Sequence, residues 1–284
     1  MTGTLPDGVW NGHAWAARHF AAPRWLASAH LQTLAGKFLR RKSDPVLTRE
    51  RIDTPDGDFL DVDWMPETDP TAPLVLVLHG LEGHTKRGYM VHTFLALADR
   101  GLRAVALNFR GCSGEVNRAP RFYHSGETED VGFVVDLLRE RFPTRPLMAI
   151  GFSLGGNILL KYLGEQKPGD PSAVSAAVVV SVPYDLAAGA AALEQTGMAR
   201  IYSRYFLRSL LAKVREKKIV LANVLDLDAV WASATLRDFD DAATAKLHGF
   251  TDAEDYYQKS SSNRFISSVG VPTLIIHSRD DPFL

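Results

Sequence analysis

The sequence predicts an α/β protein whose core is a doubly wound, mostly parallel sheet. Leu74–Leu78 is a continuous apolar run, which is typical of a strand buried on both faces. Strand and helix patterns alternate after it as far as Val182, at the spacing of parallel strands joined by helices. The turn Gly151–Gly155 lies between one of these strands and the helix that follows it. These observations favour an open parallel sheet covered by helices on both faces.

The sheet is predicted to begin with an antiparallel hairpin. Val46–Ile52 and Phe59–Trp64 flank the turn residues Pro55-Asp56-Gly57, which supports this pairing. The later strands are predicted at Ala104–Phe109, Leu147–Ile150, Ala176–Val182 and Thr273–His277. Apolar stripes predict helices around Met90–Leu97, Val131–Leu138 and Asn157–Leu163. Residues 1–44 are expected to be irregular or helical.

Residues 184–265 interrupt the alternation, because their pattern is mostly helical and contains no convincing strand. An insertion at the carboxyl edge of a parallel sheet lies over the ligand crevice, so we interpret this segment as a helical cap. The core domain then comprises residues 1–183 and 266–284.

A basic stripe within this cap raises the question of membrane contact. Three arginines recur every four residues, at Arg200, Arg204 and Arg208, and Tyr202, Phe206 and Leu210 lie on the same segment. Such a face could rest on an anionic membrane surface. We favour the simpler interpretation, in which the arginines are solvated and the apolar positions pack inside the cap.

Composition excludes several classes of protein. The 284 residues are 46% hydrophobic and carry a net charge of -1, so no nucleic-acid partner is expected. A single cysteine, Cys112, rules out an internal disulfide or a cysteine-rich metal site. The N-terminus lacks the basic and apolar regions of a secretory signal. We therefore expect a soluble cytoplasmic protein, with no cofactor and no metal.

The turn Gly151-Phe152-Ser153-Leu154-Gly155 matches the pattern G-x-S-x-G between a strand and a helix. This sharp turn forces its serine into a strained backbone conformation and presents the hydroxyl at a helix N-terminus. Ser153 is the predicted nucleophile. The amide of Leu154 and that of Leu81, in the His79-Gly80-Leu81-Glu82-Gly83 loop after the buried strand, are the predicted oxyanion donors.

A serine nucleophile needs an acid and a base. Asp281, just before Pro282 and after the last predicted strand, is the preferred acid, and Asp280 is the alternative. The base histidine of this arrangement follows the acid in the chain, yet no histidine follows Asp281. We expect the last strand, the last helix and this histidine to lie beyond Leu284, in a chain that is C-terminally incomplete.

Upstream histidines are weaker candidates for the base. His124, in Tyr123-His124-Ser125-Gly126, precedes the nucleophile and is expected to be structural. His248 and Asp252 are four residues apart and could share one helical face as a base and its orienting acid. They lie within the predicted cap, in a chain with nine histidines, so we prefer to interpret them as a local structural pair.

A series of motifs along the chain resembles the YheT-like branch of the α/β-hydrolases, which also includes embryogenesis-associated proteins. The matching segments are Trp25-Leu26, His30–Leu34, His79–Gly83, Asn108–Glu115, Tyr123–Gly126, Gly151–Asn157, Asp238–Asp240, His248–Phe250 and Asp280–Phe283. The resemblance implies a serine hydrolase with a Ser–Asp–His triad that acts on carboxylic esters or acyl lipids. Ser153 and Asp281 occupy the nucleophile and acid positions.

The predicted function is hydrolysis of a small-molecule ester or lipid through an acyl-enzyme on Ser153. Two alternatives remain open. The chain could be a non-catalytic protein of the same fold that binds an acyl ligand or a partner, as its missing histidine suggests. It could also transfer the acyl group to an acceptor other than water.

Overall fold

The computed structural model describes residues 8–10, 15–17, 22–26, 28–38, 45–167, 173–195 and 197–283. The chain divides into two compact units, Met1–Arg40 and Arg41–Leu284. In the first unit, β1 (Gly8–Trp10) pairs antiparallel with β2 (Trp15–Ala17), and α1 spans Ala29–Phe38. The expectation that this region lacks strands was wrong. Strands of three residues are too short to show the alternation by which strands are recognised in a sequence.

The second unit is built on a seven-stranded sheet in the order β3-β4-β6-β5-β7-β8-β9. Its strands are β3 (Thr48–Asp53), β4 (Phe59–Trp64), β5 (Leu74–Leu78), β6 (Arg103–Asn108), β7 (Leu147–Phe152), β8 (Ala176–Val180) and β9 (Thr273–Ile276). The hairpin of β3 and β4 is antiparallel, β4 joins β6 antiparallel, and the pairs from β6 to β9 are parallel. The predicted fold class is confirmed.

Helices cover both faces of the central strand. They are α2 (Gly88–Ala98), α3 (Thr128–Arg141) and α4 (Leu154–Gly164). Leu74, Leu76 and Leu78 of β5 pack with residues of α3 and α4, whereas Val75 and Val77 pack with α2. Successive side chains of a strand point to opposite faces, so an apolar residue is required at every position of β5.

An all-helical segment joins β8 to β9. Its helices are α5 (Leu186–Gln195), α6 (Gly197–Glu216), α7 (Lys218–Leu221), α8 (Leu227–Trp231), α9 (Leu236–Phe239), a π-helical turn (Asp240–Thr244), α10 (Ala245–Leu247) and α11 (Ala253–Ser260). Short 3₁₀ turns at Ser262–Arg264 and Ile266–Ser268 follow. No strand occurs among the described residues of 184–265. The interpretation of this segment as a cap over the site stays a prediction.

The basic stripe lies on α6. Its three arginines are exposed, while Tyr202 is buried and Phe206 and Leu210 are half-buried. Tyr202 and Phe206 both pack against Phe283, with ring centroids 4.8 and 6.2 Å away. The apolar positions therefore pack inward, as in the favoured interpretation, and membrane contact stays untested. Of the helices described, none is both long and apolar enough to cross a bilayer.

Candidate active site

Ser153 forms the turn between β7 and α4. Its backbone has φ 51° and ψ -120°, a combination that residues other than glycine rarely adopt. The Ser153 amide donates to the Val180 carbonyl at 2.8 Å, and the Ser153 carbonyl accepts from the amides of Gly156 and Asn157. The neighbouring strand on one side and the first turn of α4 on the other thus hold the strained backbone in place.

The turn presses against the loop that follows β5. A Cβ on Gly155 would lie 2.5 Å from the His79 carbonyl oxygen and 2.8 Å from that of Leu78. A Cβ on Gly80 would lie 3.1 Å from Cβ of Ser153. Both glycines therefore permit a close approach that side chains would prevent, and the loop reaches the predicted nucleophile.

Most amides of this loop already have protein partners. The Gly80 amide donates to the Tyr89 hydroxyl at 3.0 Å, and the Glu82 amide donates to the Tyr123 hydroxyl at 2.8 Å. The Gly83 amide donates to the Gly80 carbonyl at 2.9 Å. Within the described residues, no protein acceptor pairs with the amides of Leu81 or Leu154. These are the two predicted oxyanion donors, and their assignment stays a prediction.

His79 anchors the start of the loop and takes no charge at neutral pH. Burial lowers the pKa of His79 to about 3. Its Nε2 accepts from the Phe109 amide at 3.2 Å, so the single ring proton is on Nδ1, which donates to the Gly80 carbonyl at 2.8 Å. The imidazole therefore holds Gly80 from one side while the Tyr89 hydroxyl holds it from the other.

The two candidate acids differ in their surroundings. Asp281 is half-buried, and its Oδ1 accepts from the Phe283 amide at 3.1 Å. Asp280 is exposed, and its carboxylate accepts from the Ser278 hydroxyl. Both follow β9, which shares with β7 the carboxyl edge of the parallel sheet, two strands away. Asp281 is thus the less exposed of the two, and the choice between them stays a prediction.

The upstream histidines His124 and His248 lie together. The His124 and His248 rings are 4.3 Å apart between centroids. Burial lowers the pKa of both, that of His248 to about 3. The proposed pairing of His248 with Asp252 on one helical face was wrong. α10 ends at Leu247, Gly249 has φ 73°, and the Asp252 side chain instead caps α11 by accepting from the Asp255 amide.

One group in the described part of the chain has the composition of a metal site. Ligand atoms of His124, Glu127 and His248 lie within 4.8 Å of one another, at a cleft of about 500 Å³. However, Nδ1 of His124 accepts from the Gly126 amide at 3.1 Å, which places the ring proton on Nε2, the nitrogen that faces Glu127. A protonated nitrogen cannot bind a metal, and the Arg121 guanidinium already pairs with Glu127. This donor set does not fit a metal.

Two tyrosines hold the loop in ways that were not predicted from the sequence. Tyr89 and Tyr123 supply the hydroxyls that hold the loop amides, as described above. The segment Tyr123–Gly126 attracted attention for His124 and for its part in the resemblance, and not for its tyrosine. Nothing local in the sequence indicated that its tyrosine reaches a residue 41 positions earlier.

Comparison with known proteins agrees with the fold and the motifs. A family profile described as alpha/beta hydrolase fold matches residues 73–284. The chain is 38% identical to YheT of Escherichia coli (strain K12), named as an esterase, over 95% of this chain and 79% of that protein. It is 32% identical to phospholipase ABHD3 of Mus musculus and 34% identical to monoacylglycerol lipase of Saccharomyces cerevisiae. These matches cover 91% and 76% of this chain but only 64% and 49% of the relatives.

The profile covers most of the chain, and the similarity to YheT extends over nearly all of it. A relative named embryogenesis-associated protein EMB8, from Picea glauca, also matches over 93% of the chain. The chain therefore belongs to the α/β-hydrolase fold family, in the branch that includes YheT and the embryogenesis-associated proteins.

Proposed function

We propose that the protein hydrolyses carboxylic esters through an acyl-enzyme on Ser153. The observation that carries this proposal is the strained backbone of Ser153 beside a loop whose Leu81 amide has no acceptor among the described residues. Holding a non-glycine residue in such a conformation costs about 1–3 kcal/mol. An ordinary turn between a strand and a helix does not require a strained residue. At a nucleophile, the strained conformation exposes and orients the hydroxyl.

The reaction would proceed in two steps. Oγ of Ser153 attacks the acyl carbon, and the amides of Leu81 and Leu154 donate to the oxyanion that forms. The serine proton passes to a general-base histidine, which Asp281 orients, and from there to the departing alkoxide. Water, deprotonated by the same histidine, then attacks the acyl-serine and releases the carboxylic acid.

The substrate class is proposed from the relatives. Their names include an esterase, a phospholipase and a monoacylglycerol lipase, which is consistent with a carboxylic ester as substrate. We therefore propose an ester of a fatty acid or of a smaller acyl group.

A non-catalytic binding protein is the second candidate. It is motivated by the absence, among the described residues, of a histidine hydrogen-bonded to Ser153 or Asp281. The strain at Ser153 argues against it, because binding alone does not require a presented hydroxyl. Acyl transfer shares the first step with hydrolysis, and analysis of the product, free acid or new ester, distinguishes the two.

The test uses the natural full-length protein and p-nitrophenyl esters of short and medium acyl chains. Ser153→Ala should lower kcat by about 10⁶-fold, the usual cost of losing a triad nucleophile. Ser175→Ala is the matched control, since that hydroxyl donates to the Leu147 carbonyl at the opposite edge of the sheet. Mass spectrometry after rapid quenching should find the acyl group on the peptide that contains Ser153. Undiminished turnover by Ser153→Ala would overturn the assignment.

A further inference from the structure

Glu82, the residue after the predicted oxyanion donor Leu81, is buried and has a left-handed backbone with φ 52°. Its carboxylate accepts from the Tyr123 hydroxyl at 2.9 Å, and its own amide donates to the same hydroxyl at 2.8 Å. The oxygen of Tyr123 thus fixes both the backbone and the side chain of Glu82. Because Leu81 and Glu82 share a peptide link, this fixes one end of the Leu81 residue as well.

One face of α6 meets Glu82 from the other side. Lys213 Nζ donates to Glu82 Oε1 at 2.7 Å, and the Ser209 hydroxyl donates to Oε2. Tyr205 lies one turn earlier, and its hydroxyl is 3.4 Å from Nη2 of Arg87, which also donates to the Glu82 carbonyl at 3.0 Å. Positions 205, 209 and 213 follow each other every four residues, so they form a single row on the helix.

The charged ends of Lys213 and Glu82 form one buried ion pair in this network. The Lys213 and Glu82 side chains are 14% and 3% exposed. Nζ of Lys213 also lies 3.0 Å from Sγ of Cys112, but burial raises the pKa of that thiol to about 11, so the thiol is neutral near pH 7. The ammonium is therefore balanced by Glu82. Buried ion pairs often add little net stability, because both charges lose their hydration.

The Lys213–Glu82 pair links α6 to a strained loop, so its main effect is expected on the position of the loop and not on the stability of the fold. We propose that Glu82 is a positioning residue, through which Ser209 and Lys213 of α6 orient the Leu81 amide toward the oxyanion. This inference rests on the proposed esterase function. It makes the oxyanion site depend on where α6 lies, so that a displacement of this helix would misplace one donor without touching Ser153.

The experiment compares Glu82→Gln and Lys213→Met with the unaltered full chain. Both variants should lower kcat for a p-nitrophenyl ester by about 10²-fold, with KM changed less than threefold, because an oxyanion donor acts mainly on the transition state. The affinity for an alkyl trifluoromethyl ketone, which forms an oxyanion adduct with the serine, should fall in parallel. Arg208→Met is the matched control, since it removes an exposed cation from the same helix.

A purely structural role would give a different result. Lys213→Met and Glu82→Gln would then lower Tm while kcat and the ketone affinity stayed within about threefold, and the inference would be overturned. If Lys213→Met does not fold, Ser209→Ala replaces it, because that change removes only one hydroxyl from the network.

A second measurement keeps the inference separate from the esterase assignment. Amide hydrogen exchange of the peptide covering residues 80–87 should accelerate at least tenfold in Lys213→Met, while the peptide covering 151–157 is unchanged. Should the unaltered chain show no esterase activity, the proposed function fails and this exchange still tests the link. Equal exchange in the two proteins would overturn the link.

Discussion

Gly155 lies against His79 so closely that a Cβ on Gly155 would be 2.5 Å from the His79 carbonyl oxygen. The atom that would have to move belongs to the backbone at the end of β5, which is buried. This contact joins the first turn of α4 to the loop that carries Leu81. Packing at one glycine thus sets the separation between the two predicted oxyanion donors.

Gly155→Ala should therefore lower both stability and activity. Forcing a methyl group into this contact should reduce the free energy of unfolding by about 1–3 kcal/mol, measured by urea denaturation. Gly270→Ala is the control, because a Cβ there meets nothing within 4 Å. An unchanged denaturation midpoint in Gly155→Ala would contradict the prediction, because it would show that α4 and the loop after β5 can move apart at little cost.

Asn157→Ala should strongly lower the stability of the folded protein. The fully buried amide donates to the carbonyls of Ser125 and Ser260, both at 2.8 Å, and accepts from the Ser262 amide at 2.9 Å. Removing it leaves three backbone groups unpaired, so the expected loss of stability is about 3 kcal/mol or more. Thermal and urea unfolding measure it, with the exposed Asn223→Ala as control. A loss under about 1 kcal/mol would contradict this account.

Arg110→Met should also be strongly destabilising. Its guanidinium makes a two-point ion pair with Asp130, at 2.8 and 2.7 Å, and both side chains are buried. Breaking such a pair leaves an uncompensated buried charge, which costs about 3–5 kcal/mol. By contrast, Lys259→Met removes the exposed pair with Asp255 and should cost less than about 1 kcal/mol. Similar denaturation midpoints for the two variants would contradict the prediction.

Buried neutral histidines should make the protein sensitive to acid. Burial lowers the pKa of His248 to about 3, whereas an unfolded histidine titrates near about 6.5. The unfolded state therefore binds more protons between these values, and stability falls as the pH drops from about 6.5 toward 3. One such group contributes about 1.4 kcal/mol per pH unit in that window.

His248→Gln removes this proton uptake. Its free energy of unfolding should decline less steeply than that of the unaltered protein between pH 6 and pH 4, whatever its stability at neutral pH. Urea denaturation at several pH values gives the slopes. Parallel slopes would show that His248 becomes protonated in the folded protein.

The turn at Ser153 could be predicted from the sequence because the pattern that indicates it lies within a few residues of it. An apolar strand, two glycines and a helical stripe indicate the turn locally, and the expected strained backbone occurs as a positive φ at Ser153. The alternation of strands and helices predicted the parallel sheet for the same reason. The pairing of His248 with Asp252 failed although it too is local, because a glycine with φ 73° ends the helical path between them.

Sequence alone thus determined the class of sheet, the all-helical segment after β8 and the turn that presents Ser153. Only the tertiary structure decided what surrounds that turn. Lys213 reaches Glu82 across 131 positions, and Asn157 reaches Ser260 across 103. Such contacts arise when separate elements pack around one sheet, and no periodicity within a single element records which side chain of another element it will meet.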